Sequence, residues 1–211
     1  MAPRLQSITL MVKHLVASVV AVALVAPLAA EQQTAQKLFE RGAYDEAVQR
    51  VNTERGAGND DPASAYLAGL AYEKLNRGQD ARGEYARLAG SDNETWHAIG
   101  QSAIALLDGA MDEAVNEGRH ARDLSGENGW AFYQLGLVHL KKNEFNDASQ
   151  ALDRAAELMQ EFAYAHYYAG IAHQREKRFN QMAEHFQAFL KLAPDAPEKK
   201  QVQLALSSLR G

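Results

Sequence analysis

One interval constrains this chain more than any other feature of its sequence. Ala47, Ala81, Ala114, Ala148 and Met182 are separated by 34, 33, 34 and 34 residues. Similar stretches surround three of them: GAYDEA from Gly42, GAMDEA from Gly109 and NEFNDA from Asn143. A second pattern keeps the same frame. Ala65-x-x-Ala68-Gly69-x-x-Tyr72 is followed by Phe132-x-x-Leu135-Gly136-x-x-His139 and by His166-x-x-Ala169-Gly170-x-x-His173, with 34 residues from Gly136 to Gly170. A period of this size marks a supersecondary unit that cannot bury its apolar face alone and stacks on its copies. Ala148, Leu152 and Ala155, and again Met182, Phe186 and Phe189, fall at i, i+4 and i+7, one face of a helix. A mid-helix glycine costs about 1 kcal/mol relative to alanine, so its recurrence at Gly69, Gly136 and Gly170 points to helices that approach closely.

These motifs resemble the tetratricopeptide repeat family, over essentially all of the chain after residue 30. The resemblance implies an all-α, right-handed solenoid of about five helical hairpins, each with a helix A and a helix B. The units fall near 31–61, 62–94, 95–128, 129–162 and 163–196, and residues 197–211 form a capping helix with Val202, Leu206 and Leu209 on its apolar stripe. Asp61-Pro62 reads as an N-cap followed by proline at the first helical position. Asn52–Asp61 reads as an inter-repeat turn. The first unit departs most from the pattern, and its helix A is expected to be short. The third is irregular. Trp96-x-x-Ile99-Gly100-x-x-Ala103 fits helix A, but Ala114 then lies two residues late. Either the turn is longer, with Trp96 in the core, or the helix is shifted, with Ser102 as the small residue and Trp96 toward the groove.

Residues 1–30 differ in composition from the rest. Arg4 and Lys13 precede LVASVVAVALVAPL, Leu15 to Leu28, and no acidic residue occurs before Glu31. Basic, apolar, then small is the order of a secretory signal, and the run is shorter than the roughly 20 residues of a spanning helix. A signal peptide over 1–30 is expected, with cleavage after Ala30, or else an uncleaved inner-membrane anchor facing the periplasm. Removing it leaves 20 basic against 27 acidic residues, a charge of −7. The expected location is a bacterial periplasm.

The whole chain has 211 residues, a formal charge of −5 and no cysteine. Its acidic balance argues against a general nucleic-acid binder, which needs a basic face. Without cysteine there are no disulfides, thiol nucleophiles or Cys-based zinc sites. No HExxH, GxSxG, GxGxxG or P-loop motif occurs, so neither an enzyme nor a cofactor is expected. His97, His120, His139, His166, His173 and His185 read as core or boundary histidines and not as metal ligands, although His166 and His173, seven apart, share a helical face. Asp112-Glu113 reads as a helix-start pair favoured by the N-terminal dipole. Lys141-Lys142 and Arg175–Arg178 read as solvated charges near A–B turns.

In the family that the chain resembles, helix A residues between the core positions line a concave groove. Carried across, these are Tyr66 and Leu70, then Trp130, Tyr133, Leu137 and Leu140, then Tyr164, Tyr167 and Ile171. Rings of this kind dominate many protein interfaces. Three roles fit the stripe: holding a segment of a partner, packing between neighbouring A helices, or contacting a second copy of the chain. The Lys/Asn/Arg groove of chaperone-tail binders is replaced here by apolar residues. The expected function is a non-enzymatic scaffold or adaptor of the cell envelope that binds a segment of an envelope protein. The alternatives are a self-associating module and an accessory factor for peptidoglycan or polysaccharide enzymes.

Overall fold

The computed structural model describes residues 33–209; the expected export segment, 1–30, lies outside the described residues. Among the described residues are eleven helices and no strand. The helices are α1 (Ala35–Glu40), α2 (Tyr44–Gly56), α3 (Pro62–Lys74), α4 (Gly78–Ala89), α5 (Glu94–Asp108) and α6 (Met111–Leu124). They continue as α7 (Gly129–Lys142), α8 (Phe145–Leu158), α9 (Ala163–Arg175), α10 (Phe179–Leu192) and α11 (Lys199–Ser207). Odd and even helices pair as hairpins from α1–α2 to α9–α10, and each even helix packs on the next odd one. The result is an all-α solenoid. No helix among the described residues is long and apolar enough to cross a membrane.

The interval seen in the sequence has two structural causes. Every A–B turn places one residue in the left-handed region: Gly42, Asn76, Gly109, Asn143 and Lys177, with φ of 84°, 57°, 76°, 62° and 62°. Glycine and asparagine tolerate that region, which explains four of the five identities. The second cause is packing across each hairpin. A Cβ on Gly69 or Gly170 would overlap the Tyr85 or Phe186 ring, and one on Gly136 would stand 2.5 Å from Leu152 Cγ. In each case a large helix B residue lies sixteen positions after a glycine on helix A.

The third hairpin takes the shifted register. Ser102 is fully buried and its hydroxyl donates to the Ala114 carbonyl at 2.8 Å, so it holds the place that glycine holds elsewhere. Sixteen residues on, the large partner is replaced by Gly118. Gly100 serves another contact: a Cβ there would stand 2.7 Å from the Tyr85 carbonyl on α4. Trp96 corresponds to Trp130 in this register and is half-buried against the core.

Two boundaries differ from the sequence reading. Helix α2 runs through Gly56, because Arg55 is held by Glu84 at 2.6 Å and Asp60 at 3.0 Å, so the turn is confined to 57–61. Asp61 does cap α3, accepting from the Ala63 and Ser64 amides. In α11 Val202 is buried and Leu206 packs against the core, whereas Leu209 lies past the helix end and is exposed.

The ends of the array meet. Phe39 on α1 packs edge-on to Tyr164 at 4.9 Å and beside Phe162 at 6.5 Å. Gln36 donates to the Glu161 carbonyl at 2.8 Å. Glu40, only 2% exposed, accepts the Ala163 amide at 2.9 Å. Asp61, Asn93 and Asn128 cap α3, α5 and α7 from their own N-cap positions, but the N-cap of α9 is Phe162, which has no side-chain acceptor. Glu40 supplies that acceptor from 123 residues away. Lys74 pairs with Glu198 at 2.9 Å, so α3 also reaches the segment before α11.

Candidate functional site

Where the array closes, a part-open cavity of about 450 Å³ lies among the A helices. Repeat-equivalent positions build its walls. Leu70, Ala103 and Leu137 are one such set, and Lys74, Leu107 and Lys141 another. Leu106, Tyr133 and Tyr168 add apolar surface, and Phe39 of α1 completes the wall.

A buried polar chain runs along the inner side. Tyr66 donates its hydroxyl to Gln134 Oε1 at 2.5 Å, Gln134 Nε2 donates to Ser102 Oγ at 3.2 Å, and Ser102 donates onward to Ala114. Four helices, α3, α7, α5 and α6, are tied by groups that satisfy one another. A buried network of this kind fixes geometry because each unmet member would carry a desolvation cost. Burial raises the Tyr66, Tyr85 and Tyr133 phenols well above their ordinary value, so they remain protonated donors.

Three charges accompany the apolar lining. The surrounding walls push the Glu73 carboxyl up, although the Tyr85 hydroxyl donates to it at 2.5 Å and opposes the shift. Burial disfavours the Lys74 ammonium, but the Tyr168 phenol and the Glu198 carboxylate outweigh it and hold its pKa above the ordinary range. Lys141 is exposed and has no ion-pair partner among the described residues. The lining contains no histidine, serine or threonine. Chemically the cavity offers an apolar chamber, an amide and hydroxyl floor, and a cation beside a carboxyl.

The aromatic stripe expected to line an open groove is instead mostly filled from within. Tyr66, Tyr133 and Tyr164 are 0%, 1% and 0% exposed, and Tyr167 is 8%. Tyr66 meets Trp130 at 5.2 Å and Tyr133 at 6.3 Å, so the second and fourth units touch directly. Tyr164 meets Phe39 of the first unit and donates its hydroxyl to Glu198 at 2.7 Å. These contacts close Tyr66 and Tyr164 to a partner in this state, and only Leu70, Tyr133 and Leu137 of the nine residues line the cavity. Leu140 and Ile171 are half-buried against the core. Trp130 lines a second hollow of about 380 Å³ with Gln36 and Phe162, between α1, α7 and the turn that joins α8 to α9.

Sequence reasoning missed Phe39, Glu73, Lys74, Leu106, Leu107, Lys141 and Tyr168. The repeat frame carried part of that signal, since Lys74, Leu107 and Lys141 occur at the same interval as the core alanines.

No protein-family model matches this chain, and no curated protein matches it. Solved structures do. The chain is similar to TTC0263, a thermophilic TPR protein of Thermus thermophilus, with a TM-score of 0.58 and 16% identity over 82% of this chain and 94% of that one. It is also similar to the TPR domain of Arabidopsis OM64, with a TM-score of 0.50 and 22% identity over 55% of this chain and 93% of that one. At these identities the likeness is one of fold.

Proposed function

We propose that this tetratricopeptide-repeat solenoid is a non-enzymatic binding module that takes a short apolar segment of a partner protein into its central cavity. One observation carries the reading: equivalent positions of α3, α5 and α7 converge on one apolar chamber with charge beside it. A volume near 450 Å³ lies in the range of about 300–1,000 Å³ typical of small-ligand sites, and accepts a few side chains rather than a long helix. An apolar side chain would seat between Leu70, Leu107 and Leu137. Lys141 would favour a carboxylate or backbone carbonyl of the same segment, and Gln134 lies on the floor below.

The place of action belongs to the same proposal. The basic, apolar and small order of residues 1–30 supports export, and so an envelope or periplasmic partner.

A crosslinking pull-down from envelope fractions tests both parts, comparing the wild type with Leu107→Arg. Leu107 is half-buried and its side chain faces the chamber, so a charge there blocks entry while leaving the hairpin contacts. Loss of a captured partner by the still-helical variant is the expected result. Equal capture by both chains would place binding on another surface.

A further inference from the structure

Three histidines and an aspartate from three successive helices meet away from the cavity. α8 supplies Asp153, α9 supplies His166 and His173, and α10 supplies His185. His173 Nε2 lies 3.0 Å and His185 Nε2 3.1 Å from the same Asp153 Oδ1. The two rings are nearly parallel, with centroids 5.5 Å apart and an interplanar angle of 19°. Behind them, His185 Nδ1 is 3.1 Å from His166 Nδ1, and His173 Nδ1 faces Glu176 Oε2 at 3.7 Å. His173 Nδ1 and Glu176 Oε2 are both buried and have no hydrogen-bond partner.

The protons do not distribute well around a bare cluster. A neutral imidazole carries one N–H. If His173 uses it to donate from Nε2 to Asp153, its Nδ1 lone pair is turned on the Glu176 carboxylate, and two buried acceptors face each other. A cation on Nε2 reverses this. The proton then sits on Nδ1 and points at Glu176 Oε2, and closing the 3.7 Å gap to hydrogen-bond distance completes the carboxylate–histidine arrangement that supports many metal sites. The same shift at His185 lets Nδ1–H donate to His166.

We propose that Asp153, His173 and His185 bind one divalent transition-metal ion of the zinc class, with Glu176 and His166 orienting the two imidazoles. Ligands about 2.0–2.2 Å from a tetrahedral zinc stand roughly 3.3–3.6 Å apart, so the two Asp153–imidazole spacings need to widen by only a few tenths of an ångström. All three ligand atoms lie within 4.8 Å of one another. Two imidazoles and one carboxylate select zinc, copper or nickel over magnesium and calcium, which favour oxygen. The Asp153 and His185 side chains remain 39% and 18% exposed, which leaves an entry path and a fourth position for water. The ion would bracket α8, α9 and α10 across the boundary between the fourth and fifth hairpins. The related cluster of His139, Glu144 and Asp147 supplies one imidazole and makes a natural control.

The test is zinc titration by calorimetry on the tag-free, chelator-treated full chain at neutral pH, with cobalt absorption as a second readout. The wild type should take one equivalent and give visible cobalt bands of a four- or five-coordinate site. His185→Ala and Asp153→Asn, both at partly exposed positions, should lose more than tenfold in affinity and lose those bands. Glu176→Gln should weaken binding by about tenfold, the lower end for an orienting partner. Glu144→Gln should bind as the wild type does. A folded wild type that takes no zinc overturns the site. Zinc affinity unchanged in folded His185→Ala overturns it as well.

Discussion

The third and fifth hairpins share one spacing and divide the space between their helices in opposite ways. In the fifth, helix A gives up its side chain at Gly170 and helix B fills the gap with the Phe186 ring. In the third, helix B is the one that gives way, at Gly118, and helix A keeps a hydroxyl, Ser102. What the two hairpins hold constant is the sixteen-residue pairing of one small position with a position on the facing helix, not which of the two yields. The exchange also does something the glycine hairpins cannot do, because Ser102 carries the hydrogen bonds that link Gln134 and Tyr66 to α6.

Substitutions at the two glycines should separate the cases, with denaturant melts as the readout. Gly170→Ala pushes a methyl into a buried ring and should cost about 2–3 kcal/mol despite its gain in helix propensity. A neutral result there would remove the contrast altogether. The next effect concerns the fifth hairpin's other dependence. Glu40→Ala strips the side-chain acceptor that, among the described residues, Ala163 has at the start of α9, and should cost about 1–2 kcal/mol, with amide exchange rising at Ala163 and through α1. Protection unchanged at Ala163 would show that the seam is not closed in solution. Ser102→Ala leaves Gln134 short of a partner and should cost about 1 kcal/mol. Gly118→Ala is crowded but meets no ring: its Cβ would stand 3.1 Å from the flexible tip of Leu135, 3.3 Å from Ser102 Oγ and 3.4 Å from Leu135 Cα, so neighbours must give by a few tenths of an ångström. It should fall within about 0.5 kcal/mol of the wild type, helix propensity offsetting the crowding.

The smallest effect is a trend with pH. Glu73 has a raised folded value, so its contribution is full below the unfolded value and is lost as pH rises through the folded one. Glu73→Gln keeps an acceptor for Tyr85 and removes that loss. The stability of the variant relative to the wild type should therefore increase from mildly acidic to neutral pH. A gap that stays constant with pH would show that Glu73 is not perturbed by the chamber.

The all-α fold was legible because its packing rule is local. The pair that must fit together lies sixteen residues apart in the second to fifth hairpins, and the left-handed turn residue recurs in the same frame in all five. The register of the third hairpin was not legible from a motif centred on glycine, since there the glycine had moved to the other helix. The site was legible only in part. Placing Tyr66 and Tyr164 on the inner face was a statement about helical phase, and it does not reveal what covers that face. Their cover comes from Trp130 and Phe39, which no local pattern connects to them. The histidines show the same limit. His166 and His173 share a face by spacing, but Asp153 and His185 join them only through two neighbouring helices.

The Glu40–Ala163 bond bears on how this chain reaches its final state. Repeats that touch only their neighbours nucleate anywhere and fray independently from either end. Here the first helix has nowhere complete to dock until the last hairpin exists, and the contact spans 123 residues. Long-range closure of this kind slows folding, because chain entropy is lost before the contact forms. A chain made or threaded from its N-terminus would hold Phe39 covered on one side by Tyr44 and open on the side of residues 162 and 164 until these arrive. Ring closure joins what would be separable modules into one cooperative transition, in which the two ends are lost together.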